Sequence, residues 1–323
     1  MKKNYLKKFI PTFLTTVILF LFGIYLYKNP QILDALKSIF PIYVFIVMVI
    51  FLLVFLLEGL FIKVTLNVFD KDISLKESYY LSTISRIGNY LLPLRAGAVF
   101  RATYLKNKYS FDYTKFLSTL YAYYILLFLI NSLIALIILT IKYLSIGDIY
   151  PLITLFFITL FIGTLLVILL RKPIIISTLE STNILAKVLL LLGKFVESWD
   201  IIVTKRTLFK SLLLITTGNI FLNAVINYIE FLSLGLKLNI LDIILYTCIS
   251  GVSLLISITP GSLGLREAVF LLTSESIGLS SEQIMQLAFL DRGIMFLLLV
   301  ILLLLITIFV KQFKLKDIFI VKK

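Results

Sequence analysis

The feature that most constrains this chain is a recurrence of apolar runs about as long as a bilayer is thick. A hydrocarbon core of roughly 30 Å needs about 20 residues of helix to cross it. Runs near or above that length occupy about 9–27, 41–62, 116–141, 151–170, 211–236 and 284–310. Two further apolar stretches, about 79–105 and 241–279, are interrupted by Pro, Gly and charged residues and do not read as single clean helices. Eight hydrophobic segments in 323 residues leave almost nothing to form a soluble domain. Only 15% of the residues are charged, against about a quarter in soluble domains, so most of the chain has no water to face. The expected fold class is all-α: a polytopic integral membrane protein with about six full transmembrane helices plus two inverted re-entrant or broken helical hairpins.

Charge placement sets the expected orientation. Twenty-three Lys and Arg fall in segments 1–8, 63–78, 101–115, 171–210 and 311–323, while the opposite loops hold four, Lys28, Lys37, Lys142 and Lys237. The positive-inside rule then puts both termini in the cytoplasm, within the cytoplasmic (plasma) membrane of the cell. Lys2, Lys3, Lys7 and Lys8 precede the first apolar run, and with no small-residue cleavage site after it the run reads as a retained helix. The net charge of +14 would point to nucleic acid in a soluble protein; between apolar runs it reads as topology signals and contacts to anionic lipid.

The same assignment forces residues 79–105 to enter and leave from the cytoplasm and 241–279 to enter and leave from outside. Irregular backbone at membrane depth is tolerated only where protein or a water-filled cavity surrounds it. The two stretches also share a pattern. Pro93, Gly97 and then Ala98-Val99-Phe100 match Pro260, Gly264 and then Ala268-Val269-Phe270, with the prolines 167 positions apart. Paired broken segments of opposite direction are the mark of an inverted repeat and point to a substrate site near the midplane. The chain thus reads as a single membrane domain, 1–323, with a first half-repeat over about 1–141 and a second over about 151–310. An amphipathic cytoplasmic connector is expected over about 171–206. The alternative is two Pro/Gly breaks that merely kink ordinary helices.

Ionisable groups at membrane depth cost at least about 2.5–3.5 kcal/mol on insertion scales, so several of them together suggest use. The first broken stretch carries Arg86, Asn89, Arg95 and Arg101; the second carries Arg266 and Glu267; Asp291 and Arg292 follow in the last run. Guanidinium suits an anionic head group, because its planar fork bonds phosphate oxygens bidentately and stays charged when partly desolvated. Helix ends at the breaks add backbone N–H groups, and Gly97, Gly261 and Gly264 would let backbone approach closely. Arg101 reads equally as a topology charge, and Arg292 with Asp291 equally as an interfacial pair. Glu58 and Glu230 read as groups near span ends that can snorkel.

The chain has no His and one Cys, Cys248. Imidazole bases, Ser-His-Asp triads and intrachain disulfides are excluded, and no cysteine-rich metal site can form. No Gly-x-x-x-x-Gly-Lys-Ser/Thr pattern occurs, so ATP hydrolysis is not expected in this chain. No Asp-x-x-Asp cluster is available for Mg²⁺. No cofactor, no metal and no catalytic residue is expected.

Ser85-Arg86-Ile87-Gly88-Asn89-Tyr90-Leu91-Leu92-Pro93-Leu94-Arg95-Ala96-Gly97, followed by Arg101, resembles the first signature of the flippase-like family, the membrane region of lysylphosphatidylglycerol synthases. Pro260-Gly261-Ser262-Leu263-Gly264-Leu265-Arg266-Glu267 resembles the second signature, and Arg292 matches an arginine of the helix that follows. The resemblance spans nearly the whole chain. Many members carry an acidic residue after the first signature glycine, where this chain has Ala98 and Val99. The lysyl-transferring members also carry a large C-terminal acyltransferase domain, whereas 13 residues follow Val310 here. The resemblance therefore implies the lipid-translocating part without the aminoacyl-transferring part, and a protein that is not itself an enzyme.

The leading expectation is a flippase-like transporter that moves an anionic phospholipid or polyprenyl-phosphate lipid across the cytoplasmic membrane. Its substrate-binding residues would be Arg86, Asn89, Pro93, Arg95, Gly97, Arg101, Pro260, Gly261, Gly264, Arg266, Glu267 and Arg292. The expected partner is an anionic membrane lipid, not nucleic acid. The alternatives are an integral membrane enzyme of lipid-linked glycan or aminoacyl-lipid synthesis, a small-solute transporter, and a non-transporting partner of a lipid-modifying transferase.

Overall fold

A computed structural model describes residues 27, 39–92, 95–169, 196–253, 259, 262 and 264–309. Expectations for the first apolar run, for most of the connector and for Pro93, Pro260 and Gly261 lie outside the described residues. All described secondary structure is helical. In chain order the helices are α1 (Pro41–Asn67), α2 (Leu75–Leu91), α3 (Ala96–Tyr109), α4 (Tyr113–Ile146), α5 (Pro151–Leu169), α6 (196–204), α7 (Arg206–Ser233), α8 (Ile240–Ser253), α9 (Leu265–Leu272), α10 (Ser274–Ile277) and α11 (Ser281–Phe309).

Five of these, α1, α4, α5, α7 and α11, are long and apolar enough to cross a membrane. The protein is a multi-pass, all-α membrane protein. Local chemistry marks several helix ends. Pro41 opens α1 in the first turn, where its missing N–H costs nothing. Ser74 caps α2 by accepting the Glu77 N–H at 3.2 Å. Gly147 ends α4 in the left-handed conformation, its N–H donating to the Tyr143 carbonyl.

Between the spans, the two interrupted stretches are sets of short helices. The first is α2 and α3, broken at residues 92–95. Its arms meet with no side chain between them: a Cβ on Gly97 would lie 1.8 Å from the Ser85 carbonyl oxygen, and one on Gly88 would lie 2.7 Å from the Gly97 Cα. Only glycine permits that approach. The second set is three helices, α8, α9 and α10. α8 crosses α4 at Gly251, whose Cβ would lie 2.7 Å from the Asn131 side-chain nitrogen.

The open ends of the two sets are anchored at opposite ends of α4. At its start, Phe111 meets Phe69 edge-to-face with ring centroids 5.6 Å apart, and Lys106 reaches Asp112 at 3.0 Å. Near its end, Lys142 pairs with Asp242 of α8 at 2.7 Å and donates to the Ser276 carbonyl of α10 at 2.8 Å. Lys142 is therefore a buried structural group rather than the loop charge its position in sequence suggests. Helix α4 reaches that contact because it is 34 residues, about 50 Å at 1.5 Å per residue.

Three apolar clusters hold the bundle. One joins α4, α7, α8 and α9 around Tyr246 and Phe270, whose rings stack 4.2 Å apart. The second packs α1, the first hairpin and α4 against α6, which buries Trp199, Ile202 and Val203 on one face at helical spacing. The third joins α1, α7 and α11 around Phe55 and Leu299.

Candidate anion site in the central cavity

Where the hairpins meet α1, α4, α7 and α11, they enclose a cavity of about 240 Å³. Among the described residues its ionisable lining is Glu58, Arg86, Arg95, Arg101, Arg266 and Asp291, together with Tyr90, Tyr123 and Tyr124. Four guanidinium groups and two carboxylates stand in that lining, so arginine predominates among its charged groups. Charged groups at such depth need opposite charges or hydrogen-bond partners around them.

Each arginine is held differently. Arg86, on α2, forms an ion pair with Glu58 of α1, and its guanidinium lies 5.6 Å from the Phe55 ring centroid. Arg95 occupies the left-handed region (φ 52°) at the hairpin break, a conformation that costs a non-glycine residue of order 1 kcal/mol or more. Its guanidinium lies 4.6 Å from the centroid of the Tyr124 ring. Arg101, on α3, lies 5.3 Å from the Phe116 ring centroid. Among the described residues Arg101 has no carboxylate within ion-pair distance, and its Nε has no hydrogen-bond partner. Arg266, on α9, donates to Asp291 Oδ2 at 2.5 Å and to Ser250 Oγ at 2.7 Å.

A second pair stands behind the cavity wall. Arg292 Nε donates to Glu267 Oε1 at 2.6 Å, and the other carboxylate oxygen of Glu267 accepts the Gly264 N–H at 2.7 Å. Glu267 is only 3% exposed. Tyr90 ties the first hairpin to the same region by donating to the Arg292 carbonyl at 2.9 Å.

The structure thus brings Arg86, Asn89, Arg95, Arg101 and Arg266 to one cavity. Gly97, Gly264, Glu267 and Arg292 are not among its lining residues. Gly97 closes the hairpin, and the other three form the clasp behind the wall. The Ala98 N–H, at the start of α3, is taken by Asn89 Oδ1 at 3.1 Å, as the Gly264 N–H is taken by Glu267. Those two helix-end amides are therefore satisfied by side chains rather than turned toward a ligand.

Asp291 and Arg292 do not pair with each other; each takes a partner from α9. Glu58 does not snorkel, because α1 continues to Asn67 and carries Glu58 inside the bundle against Arg86. Glu230 does not snorkel either: it is 1% exposed on α7, and its Oε1 has no hydrogen-bond partner among the described residues. Sequence reasoning also missed the amides of the wall. Asn219, Asn223 and Asn227 line the cavity from α7, and Asn227 donates to Thr247 of α8 at 2.8 Å. Their spacing of four residues was the available signal, since it puts three amides on one face of an otherwise apolar helix.

Helical spans around a partly open cavity with four arginines in its lining define a polytopic membrane protein. The family profile described as the lysylphosphatidylglycerol synthase TM region matches residues 9–302, and the chain belongs to that family. Comparison with curated proteins gave no match, and neither did comparison with solved structures.

Proposed function

We propose that this protein carries an anionic lipid, a phospholipid or a polyprenyl-phosphate lipid, across the cytoplasmic membrane. The observation that supports this most directly is the convergence of Arg86, Arg95, Arg101 and Arg266 on one cavity whose described lining holds two carboxylates, Glu58 and Asp291. A phosphate group entering there meets several guanidinium groups at once. It can be gripped by charge-assisted hydrogen bonds, each worth about 1.5–3 kcal/mol. Asp291 and Glu58 hold Arg266 and Arg86 while the site is empty, and exchange of carboxylate for phosphate leaves each arginine paired throughout.

On this reading the two hairpins are inverted counterparts, entering from the cytoplasmic and external sides, and they open the cavity alternately. Both termini lie in the cytoplasm. The protein acts as a carrier rather than as an enzyme, and a lipid-modifying transferase is the natural supplier or consumer of its cargo. Membership of a family named for the membrane part of a lipid synthase agrees with lipid handling.

The test is reconstitution into liposomes with phosphatidylglycerol bearing a fluorophore on one acyl chain, followed by chemical quenching of the outer leaflet. Protein-containing vesicles should lose the protected fraction faster than empty ones. Rates equal to those of empty vesicles, for phosphatidylglycerol and for a labelled polyprenyl phosphate alike, would overturn the proposal.

A further inference from the structure

The central cavity is too small for a whole lipid. Its volume of about 240 Å³ falls below the roughly 300–1,000 Å³ of pockets that enclose drug-sized ligands. It can take a head group, and any hydrocarbon attached to that head group must lie elsewhere. A second concavity, of about 550 Å³, lies between α4 and α5. It shares two residues with the first, Arg95 and Tyr124, so the two spaces meet at the hairpin break.

The wall of this groove is apolar and follows helical spacing on both sides. From α5 it takes Phe156, Leu160, Gly163 and Val167, and from α4 Tyr124 and Phe128. These positions recur every three or four residues, so each helix gives one continuous stripe. From 156 to 167 is a rise of about 16 Å, close to the roughly 15 Å of one leaflet's hydrocarbon. Helix α5 buries only Phe157 and Thr164 fully, and Phe156 and Gly163 of the groove stripe are exposed. Gly163 lines the groove and is exposed, and a Cβ built there would meet nothing within 4 Å.

We infer that the α4–α5 groove holds a hydrocarbon tail of the anionic lipid whose head group occupies the arginine cavity, with Arg95 and Tyr124 as the doorway between them. The inference rests on the anion reading of the central cavity and adds the route by which the lipid reaches it: sideways from the leaflet, tail along α5. Arg95, held against the Tyr124 ring, meets the phosphate at the point where polar and apolar spaces join.

The test uses the full chain in nanodiscs containing phosphatidylglycerol with a photoactivatable group on one acyl chain, and maps the labelled peptides. Label should concentrate on 121–128 and 156–167. In Gly163→Trp, which adds a large side chain to the groove lining, that label should fall about tenfold, the equivalent of about 1.4 kcal/mol. Binding of glycerol 3-phosphate to the same variant should stay within about twofold. Label confined to other segments, or label undiminished in a folded Gly163→Trp, would overturn the groove. So would protection of these peptides by the chain's own first apolar run. If Gly163→Trp does not fold, the wild-type map decides, with Leu160→Trp as a second filling variant. Failure of the wild type to bind glycerol 3-phosphate would instead remove the anion reading, and the groove's role with it.

Discussion

Arg266 and Asp291 pair at 2.5 Å, and the residues that follow each of them in sequence, Glu267 and Arg292, form a second pair of reversed sense. Two adjacent charges on α9 thus clasp two adjacent charges on α11, positive to negative and negative to positive. The arrangement neutralises itself without drawing on the rest of the cavity. It also divides the four residues between two places. Arg266 and Asp291 line the cavity, while Glu267 and Arg292 stand behind it.

The rear pair should be structural. Removing one partner of a buried ion pair leaves an uncompensated charge and costs about 3–5 kcal/mol, whereas removing both costs less. Glu267→Gln and Arg292→Gln should each lower the unfolding midpoint clearly. The double variant should fall short of the sum, with a coupling of about 0.5–3 kcal/mol in a double-mutant cycle. Denaturant titration in detergent reads this out, and strict additivity would mean the pair contributes no coupling.

Arg101 should behave in the opposite way. It lines the cavity and has no carboxylate partner among the described residues, so truncating it orphans no acid. Arg101→Ala should leave the unfolding midpoint near that of the wild type. It should reduce binding of phosphatidylglycerol by about 10- to 100-fold, the worth of one charge-assisted hydrogen bond. Arg101→Lys should restore part of the loss, because it returns the charge but not the bidentate fork. Titration of glycerol 3-phosphate or of labelled lipid would check it, and unchanged affinity in Arg101→Ala would take Arg101 out of the site.

Glu77 supplies a pH dependence outside the five spanning helices. Burial works to raise its carboxyl. Hydrogen bonds to Oε1 from Lys108, Tyr104 and Tyr109, each 2.8 Å long, together with the charge of Lys108, outweigh burial and hold it below the usual carboxylate value. A carboxylate lowered in the folded state adds stability above its unfolded pKa and loses it as pH falls through the folded pKa. The contribution should therefore be full at neutral pH and fade on the acid side of the ordinary glutamate range. Lys108 is half exposed, so the effect should be about 1 kcal/mol or less. Glu77→Gln should flatten the acid limb of the unfolding midpoint against pH and leave its shape at neutral pH unchanged.

Much of the architecture was legible because bilayer thickness writes itself into run length. The five spans coincide with apolar runs, and both hairpins fall where Pro, Gly and charge interrupt one. Run boundaries were less legible. Hydropathy stops at Lys63 and near Lys142, while the helices continue to Asn67 and Ile146. Backbone hydrogen bonding carries a helix past a charge, and Lys142 finds its acid a hundred positions away on α8. The arginines of the cavity were legible by type and depth. Their partners were not, since Glu58 against Arg86 and Asp291 against Arg266 are choices made by packing. The sorting of Gly97, Glu267 and Arg292 away from the cavity wall also needed three dimensions. A glycine that admits a ligand and a glycine that admits a neighbouring helix look the same in a sequence.

That ambiguity can be resolved with two glycines. Gly97→Ala places a Cβ 1.8 Å from the Ser85 carbonyl oxygen, a backbone atom that can move only if the hairpin opens. Overpacking by one methyl usually costs about 1–3 kcal/mol, and a backbone clash this deep should reach or exceed the upper end. At Gly293, within α11, an added Cβ meets nothing within 4 Å, so alanine there should stabilise by about 0.5–1 kcal/mol through helix propensity alone. Thermal unfolding of the two variants should therefore shift in opposite directions. If Gly97→Ala unfolds with the wild type, the α2–α3 contact is not the constraint on this position, and a role facing the ligand would become the better account of that glycine.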